Sequence, residues 1–273
     1  MPAAGAHDGR RGLKPTPQAF GALEGLQIKG VGVQPVTEFD ALTGGGEGAL
    51  QVHVPAQGLQ IDGFVVLDDQ GAEVARWHLQ DHWVPTATHP RHGVDVTHSN
   101  AISVQDGVAL VSIRHLSTVV AIRADPTAKD FGTVLWRLGG YGVDAVWGSD
   151  FTLLDATGGS GSFQEQHHAM LLPDGRLSLF DNRIASDADS RALEIELDTG
   201  AGTATIVEDY PLPSHCHFQG GSFRTASGHA VTTCAPRGLV YEFAPGTDTI
   251  SWQTRITCAS GSSGVVPRMI PVE

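Results

Sequence analysis

Four stretches of this chain repeat one plan: a short strand rich in β-branched residues, a turn on Gly or Asp, and a second strand. They lie at 63–77, at 118–123 with 133–136, at 192–207 and at 238–252. No convincing stretch of 3.6-residue periodicity separates them, so a helical fold has no sequence support. Three of the four follow a further turn-initiated strand pair, at 105–112, 173–180 and 226–233. Trp77 and Trp136 are 59 residues apart, and Val207 and Trp252 are 45 apart. Such spacings suit the four-stranded blades of an all-β propeller, in which each unit buries its faces against its neighbours. The expected domain is a single propeller over 1–273, with repeats at 7–82, 93–140, 163–210 and 215–256 and a closing strand at 264–272. A β-sandwich of irregular strands uses the same turn chemistry and stands as the alternative. The Gly-rich gap 140–166, with Trp147 and Phe151, reads as a long loop at one rim.

Composition supports this reading. The 34 glycines and 15 prolines oppose long helices and favour tight turns. A hydrophobic content of 41% with 17% charged residues is that of a chain with a core. The balance of 17 basic against 30 acidic residues, a net charge of −13, excludes an electrostatic nucleic-acid binder. No run approaches the roughly 18 apolar residues of a membrane span. Residues 1–13 lack the apolar core of a signal peptide, so the chain reads as cytoplasmic if it is complete. Three cysteines, Cys216, Cys234 and Cys258, are too few for a disulfide scaffold. Cys216 and Cys234 flank the turn near Ser227-Gly228 and are either a disulfide or two buried thiols.

Thirteen histidines give the chain its chemistry, because imidazole serves as nucleophile, acid or base near neutral pH. His98, in Asp95-Val96-Thr97-His98-Ser99-Asn100, stands just ahead of an apolar strand; Arg114 follows 16 residues later, at the far end of that hairpin. His167 takes the matching place in the next repeat, and His7 precedes the first. Each alone reads as a turn cap, but in a propeller such positions converge on the central channel. His215 and His217 share one strand face and form a possible metal pair, with no Cys or carboxylate following at ligand spacing. Asp187-Ala188-Asp189 lacks the Gly and distal Glu of a calcium loop. There is no G-x-S-x-G elbow or P-loop, and Gly44-Gly45-Gly46-Glu47-Gly48 has the wrong spacing for a dinucleotide.

Taken together, Asp95-Val96-Thr97-His98-Ser99-Asn100, Ser112-Ile113-Arg114-His115, Trp136-Arg137-Leu138-Gly139-Gly140, Gln166-His167-His168-Ala169 and Leu179-Phe180-Asp181-Asn182 resemble the bacterial arylsulfate sulfotransferases, in order and approximate spacing. The resemblance implies a β-propeller, six-bladed in the family and four- to five-bladed here, that moves a sulfuryl group from a phenolic sulfate ester to a phenol without PAPS. It implies His167 as the transiently sulfated nucleophile, His98 and Arg114 as ligands of the sulfate oxygens with Asn100 beside them, and His7 as a further active-site histidine. An imidazole nitrogen attacking sulfur, with a guanidinium fork on the sulfuryl oxygens, splits the transfer into two steps and calls for no metal or cofactor. The implied partners are small phenols and their sulfates, and the implied compartment is secreted or periplasmic. Family members also carry an N-terminal domain, further blades and a secretion signal upstream of the position of His7. The resemblance therefore implies a smaller or gapped propeller, or a fragment. The rival reading is a non-catalytic propeller that binds a sulfated or phenolic ligand or a protein.

Overall fold

The computed structural model describes residues 49–54, 59–68, 70–85, 88–140, 147–184 and 188–257. His7, Cys258 and the expected closing strand at 264–272 lie outside the described residues. The described residues form an all-β fold, with four sheets that follow one another along the chain. The first joins β1 (Ala49–Val54), β2 (Leu59–Leu67) and β3 (Glu73–His78). The second is β4 (Ser99–Gln105), β5 (Val108–Ile113), β6 (Thr118–Arg123) and β7 (Val134–Gly139), each antiparallel to the next. The third runs from β9 (His167–Leu171) through β10 (Leu177–Asp181) and β11 (Arg191–Asp198) to β12 (Thr203–Pro211). The fourth is β13 (Gly221–Arg224), β14 (Ala230–Cys234), β15 (Leu239–Phe243) and β16 (Ile250–Arg255).

Part of the expected rim loop is a strand. β8 (Thr152–Leu154) pairs parallel with β12, so the third sheet has five strands. Alternation marks strands of four or more residues, and a three-residue strand is too short to show it.

The central strands are apolar on both faces, which places each inner sheet between two cores. Along β5, Ala109, Val111 and Ile113 join Phe64, Val66 and Trp77 of the first sheet. Leu110 of β5, with Val119 and Ala121 of β6, joins Phe163, Leu177, Leu179 and Ile195 on the other side. Phe180 and Tyr210 of the third sheet pack with Tyr241 and Phe243 of the fourth, in a core that includes Cys216 and Cys234. The leading strands meet: β1 lies against β4, β4 against β9, and β13 against β9 and β10.

The Asp-Gly and Ser-Gly turns read from the sequence place Gly107, Gly175 and Gly228 at φ of +72°, +86° and +86°, where a side chain is disfavoured. Ion pairs stitch the third sheet to the fourth. Arg224 Nη1 donates to Asp174 Oδ2 at 2.6 Å and its Nε to the buried Glu194 Oε1 at 2.9 Å.

Cys216 and Cys234 are joined by a disulfide across 18 residues, tying the segment before β13 to the end of β14. Closing a loop of that length removes about 3 kcal/mol of unfolded-chain entropy. The Cys216→Ser/Cys234→Ser double variant is therefore expected to unfold at lower urea, with a stability loss of about 3 kcal/mol by linear extrapolation.

Candidate active site

The site begins with a backbone irregularity in each of two neighbouring leading strands. In β4 the pairing steps from Ser99–Ile113 to Ala101–Ser112, which leaves Asn100 as an extra, bulged residue. In β9 it steps from Ser178–Met170 to Phe180–His167, with one extra residue at 168–169. A bulge breaks the two-residue alternation and re-aims side chains. His98, Glu165, His168 and Gln219 also hold left-handed φ values of 49°, 47°, 52° and 52°, each costing of order 1 kcal/mol for a non-glycine residue. Four such residues around one seam mark a place where the surrounding structure over-determines the backbone.

Local hydrogen bonds enforce His98's conformation. The buried Asp62 carboxylate on β2 accepts from Thr97 Oγ1 at 2.7 Å and from the Ser99 amide. Burial raises the Asp62 pKa above the usual carboxylate range, against the pull of those donors. The His98 carbonyl accepts from the Arg114 amide at 3.2 Å, bringing these two expected site residues to the same hairpin end. Asn100 Nδ2 reaches across to the third sheet and donates to the Gln166 carbonyl at 2.8 Å.

Around this frame stands a column of imidazoles. His92 stacks on His115 at 3.5 Å with planes 3° apart; His98 covers His115 at 4.6 Å, and His89 lies 4.7 Å from His92. Asp95 anchors two of the rings. Its carboxylate lies 2.6 Å from His98 Nδ1, and its carbonyl oxygen accepts from His115 Nδ1 at 2.8 Å. Desolvation pushes the His115 pKa far down, with His98 next among the causes, and desolvation also lowers that of His92.

The charged centre is Glu165, fully buried one residue before Gln166. Arg114 Nη2 lies 2.9 Å from one of its oxygens; Arg91 Nη2, at 3.1 Å, and His92 Nε2, at 3.0 Å, meet the other. Sequence reasoning missed Glu165, Arg91 and His92, whose pairing is visible only once residues more than 70 positions apart are brought together. The buried Nε–H of Arg114 has no hydrogen-bond partner, and neither has the buried Ser99 hydroxyl. Asp95, His98 and His115 are close enough for three ligand atoms to lie within 4.8 Å. Against a cation there, Arg114 Nη1 sits 3.4 Å from His115 Nε2, and His115 Nδ1 is committed to a carbonyl.

His167 lies on the same seam and is 1% exposed. Its Nδ1 is 2.7 Å from Asn182 Oδ1, and its Nε2 accepts the Gln219 amide at 3.1 Å. His215 and His217 stack at 4.5 Å in the segment leading to Gln219, apart from the three-residue donor set.

The sequence profile of the arylsulfotransferase (ASST) family matches residues 54–214, which include both bulged strands and the whole seam from His98 to Asn182. This chain belongs to the arylsulfotransferase family. Among curated proteins no sequence matches it. In overall shape this arylsulfotransferase-family chain is similar to a protein of unknown function from Bacteroides caccae, 11% identical, with 91% of this chain and 73% of that one covered and a TM-score of 0.45. It is also similar to the Pseudomonas aeruginosa periplasmic gluconolactonase PpgL, 11% identical over 76% of this chain and 52% of that one, with a TM-score of 0.41. A third likeness is to a calcium-binding regucalcin from Agrobacterium tumefaciens, 14% identical over 75% and 58%, with a TM-score of 0.40. The arylsulfotransferase-family chain thus spans little more than half of each of these last two.

The neutral rings of the column carry a pH prediction. In the fold, burial holds the pKa of His92 and His115 below the ordinary 6.5, so the unfolded chain takes up protons first as pH falls. Their contribution to stability is complete above 6.5 and is lost progressively below it. Urea midpoints are expected to fall between about pH 7.5 and about pH 5.5, and His115→Phe, which keeps an aromatic ring against His92, is expected to flatten that fall.

Proposed function

We propose that the chain is a PAPS-independent aryl sulfotransferase, that its four sheets are successive blades of one propeller domain, and that His167 carries the sulfuryl group between donor and acceptor. Family membership supports the activity class. The observation that carries the reading to these residues is the buried, unpartnered Arg114 Nε–H at the hairpin end shared with His98. A buried cationic donor without a partner is costly unless a ligand completes it, and a sulfuryl oxygen is a fitting acceptor.

In the first step His167 Nε2 attacks sulfur, the bond from sulfur to the aryl oxygen breaks, and the departing phenolate takes a proton from protonated His98. Arg114 and Asn100 stand at the sulfuryl oxygens, where charge builds in the transition state. In the second step the acceptor phenol attacks the same sulfur, the N–S bond breaks, and the phenol's proton passes to His98. No cofactor enters either step. His7 is assigned a supporting role by resemblance alone. A disulfide together with the family fits an oxidising compartment, secreted or periplasmic. No helix among the described residues is long and apolar enough to cross a membrane.

Two observations favour the rival, non-catalytic reading, in which the chain binds a sulfated or phenolic ligand: His167 is 1% exposed, and Gln219 occupies its Nε2. Exchanging that neutral hydrogen bond costs about 1 kcal/mol, little beside the barrier of a sulfuryl transfer.

With 4-nitrophenyl sulfate and phenol, the wild type is expected to release nitrophenol, His167→Ala to release none above background, and Arg114→Ala to be slower by roughly 100-fold. Undiminished release by His167→Ala would overturn the assignment. Intact mass after donor alone separates the two readings: a covalent intermediate makes the chain roughly 80 Da heavier, and simple binding leaves the mass unchanged.

A further inference from the structure

Asn182 stands behind His167, and its own surroundings decide which way its amide points. The two other polar groups facing it are carbonyl oxygens, which only accept: Cys216 O at 2.7 Å and Gln219 O at 2.9 Å. The amide nitrogen must face both, since the opposite orientation would set Oδ1 against two carbonyls. Oδ1 is therefore the atom 2.7 Å from His167 Nδ1, and because a carbonyl oxygen cannot donate, Nδ1 carries the proton. A second contact reaches the same answer independently. The Gln219 amide donates to Nε2 at 3.1 Å, so Nε2 holds a lone pair and no proton.

We infer that Asn182 is a positioning residue that locks His167 in the Nδ1–H tautomer and so makes Nε2 the nitrogen that takes the sulfuryl group. The tautomer follows from hydrogen bonds alone; the identity of the sulfuryl acceptor rests on the sulfotransferase reading above.

The lock is built from three parts of the chain. Asn182 follows β10; Cys216 and Gln219 belong to the segment before β13, which the disulfide to Cys234 ties to β14. Ser190 Oγ adds a tie, accepting from the Cys216 amide at 2.8 Å and donating to the Asn182 carbonyl at 3.1 Å. The next residue, Gly220, has φ +107°, and a Cβ there would lie 2.7 Å from the Phe180 ring, so the Gln219–Gly220 turn has one way to pass. Asn182 thus aims the imidazole and holds the carbonyl of the residue whose amide meets Nε2.

The test is nitrogen NMR of the whole chain labelled at histidine, at a pH where His167 is neutral, with His167→Gln used to assign its signals. In the wild type, Nδ1 is expected at a protonated-nitrogen position and Nε2 at an unprotonated one. Asn182→Ala is expected to weaken that preference, leaving only the Gln219 amide to hold it. If Asn182→Ala does not fold, the wild-type tautomer still decides the matter. A wild-type Nε2–H tautomer, or an Asn182→Ala spectrum like that of the wild type, would overturn the inference. In the sulfuryl-transfer assay Asn182→Ala is expected to lower kcat by roughly 100-fold, with little change in KM. A wild type inactive on aryl sulfates but with the stated tautomer would sink the sulfotransferase reading and leave the lock standing. An active wild type with the opposite tautomer would do the reverse.

Discussion

The seam between the second and third sheets depends on one buried polar side chain, that of Gln166. Its Nε2 donates to the Thr118 carbonyl at 3.0 Å and to Ser112 Oγ at 3.1 Å, and its backbone carbonyl accepts from Asn100 and from Ser112 Oγ. Left without partners, an amide nitrogen this deeply buried is costly, so these bonds hold β9 in place against β4 and β5. That placement puts Glu165 on one side, among Arg91, His92 and Arg114, and His167 on the other, against Asn182. Loss of the Gln166 contacts would therefore disturb both halves of the site at once.

The same seam explains why strain collects here. His98, Glu165 and His168 hold left-handed backbone conformations and two strands bulge, each at a cost to stability. The cost is offset by donors and acceptors that reach their partners only in these conformations, as when Asp62 gathers Thr97 and Ser99. Charge is handled in the same way. Arg114 and Arg91 meet a buried carboxylate, burial holds the pKa of two imidazoles below the ordinary value, and the Nε–H of Arg114 is left without a hydrogen-bond partner.

Much of the fold was legible in the sequence because it rests on local rules. Strand–turn–strand units with Asp-Gly or Ser-Gly turns fall within the strands and left-handed glycines observed at Gly107, Gly175 and Gly228. β8 was missed because three residues are too few to show a period, and its partner β12 lies about fifty residues downstream. Within the candidate site, His98, Arg114 and His167 stood out by residue type and by motif order. Glu165, Arg91 and His92 did not, since an isolated charged or histidine side chain carries no signal until its partner is known. Asn182 belonged to a recognisable motif, but its task depends on two carbonyls more than thirty residues away.

By itself, the sequence determined an all-β chain of repeated units, a family, and a short set of histidine and arginine candidates for its site, because period, turn chemistry and motif order are properties of neighbours along the chain. The tertiary structure alone decided which nitrogen of His167 holds the lone pair, which carboxylate meets Arg114, and that the Nε–H of Arg114 is left without a hydrogen-bond partner. Those are settled by hydrogen bonds between segments distant in sequence, and by bulges that turn side chains out of the alternation from which a sequence is read.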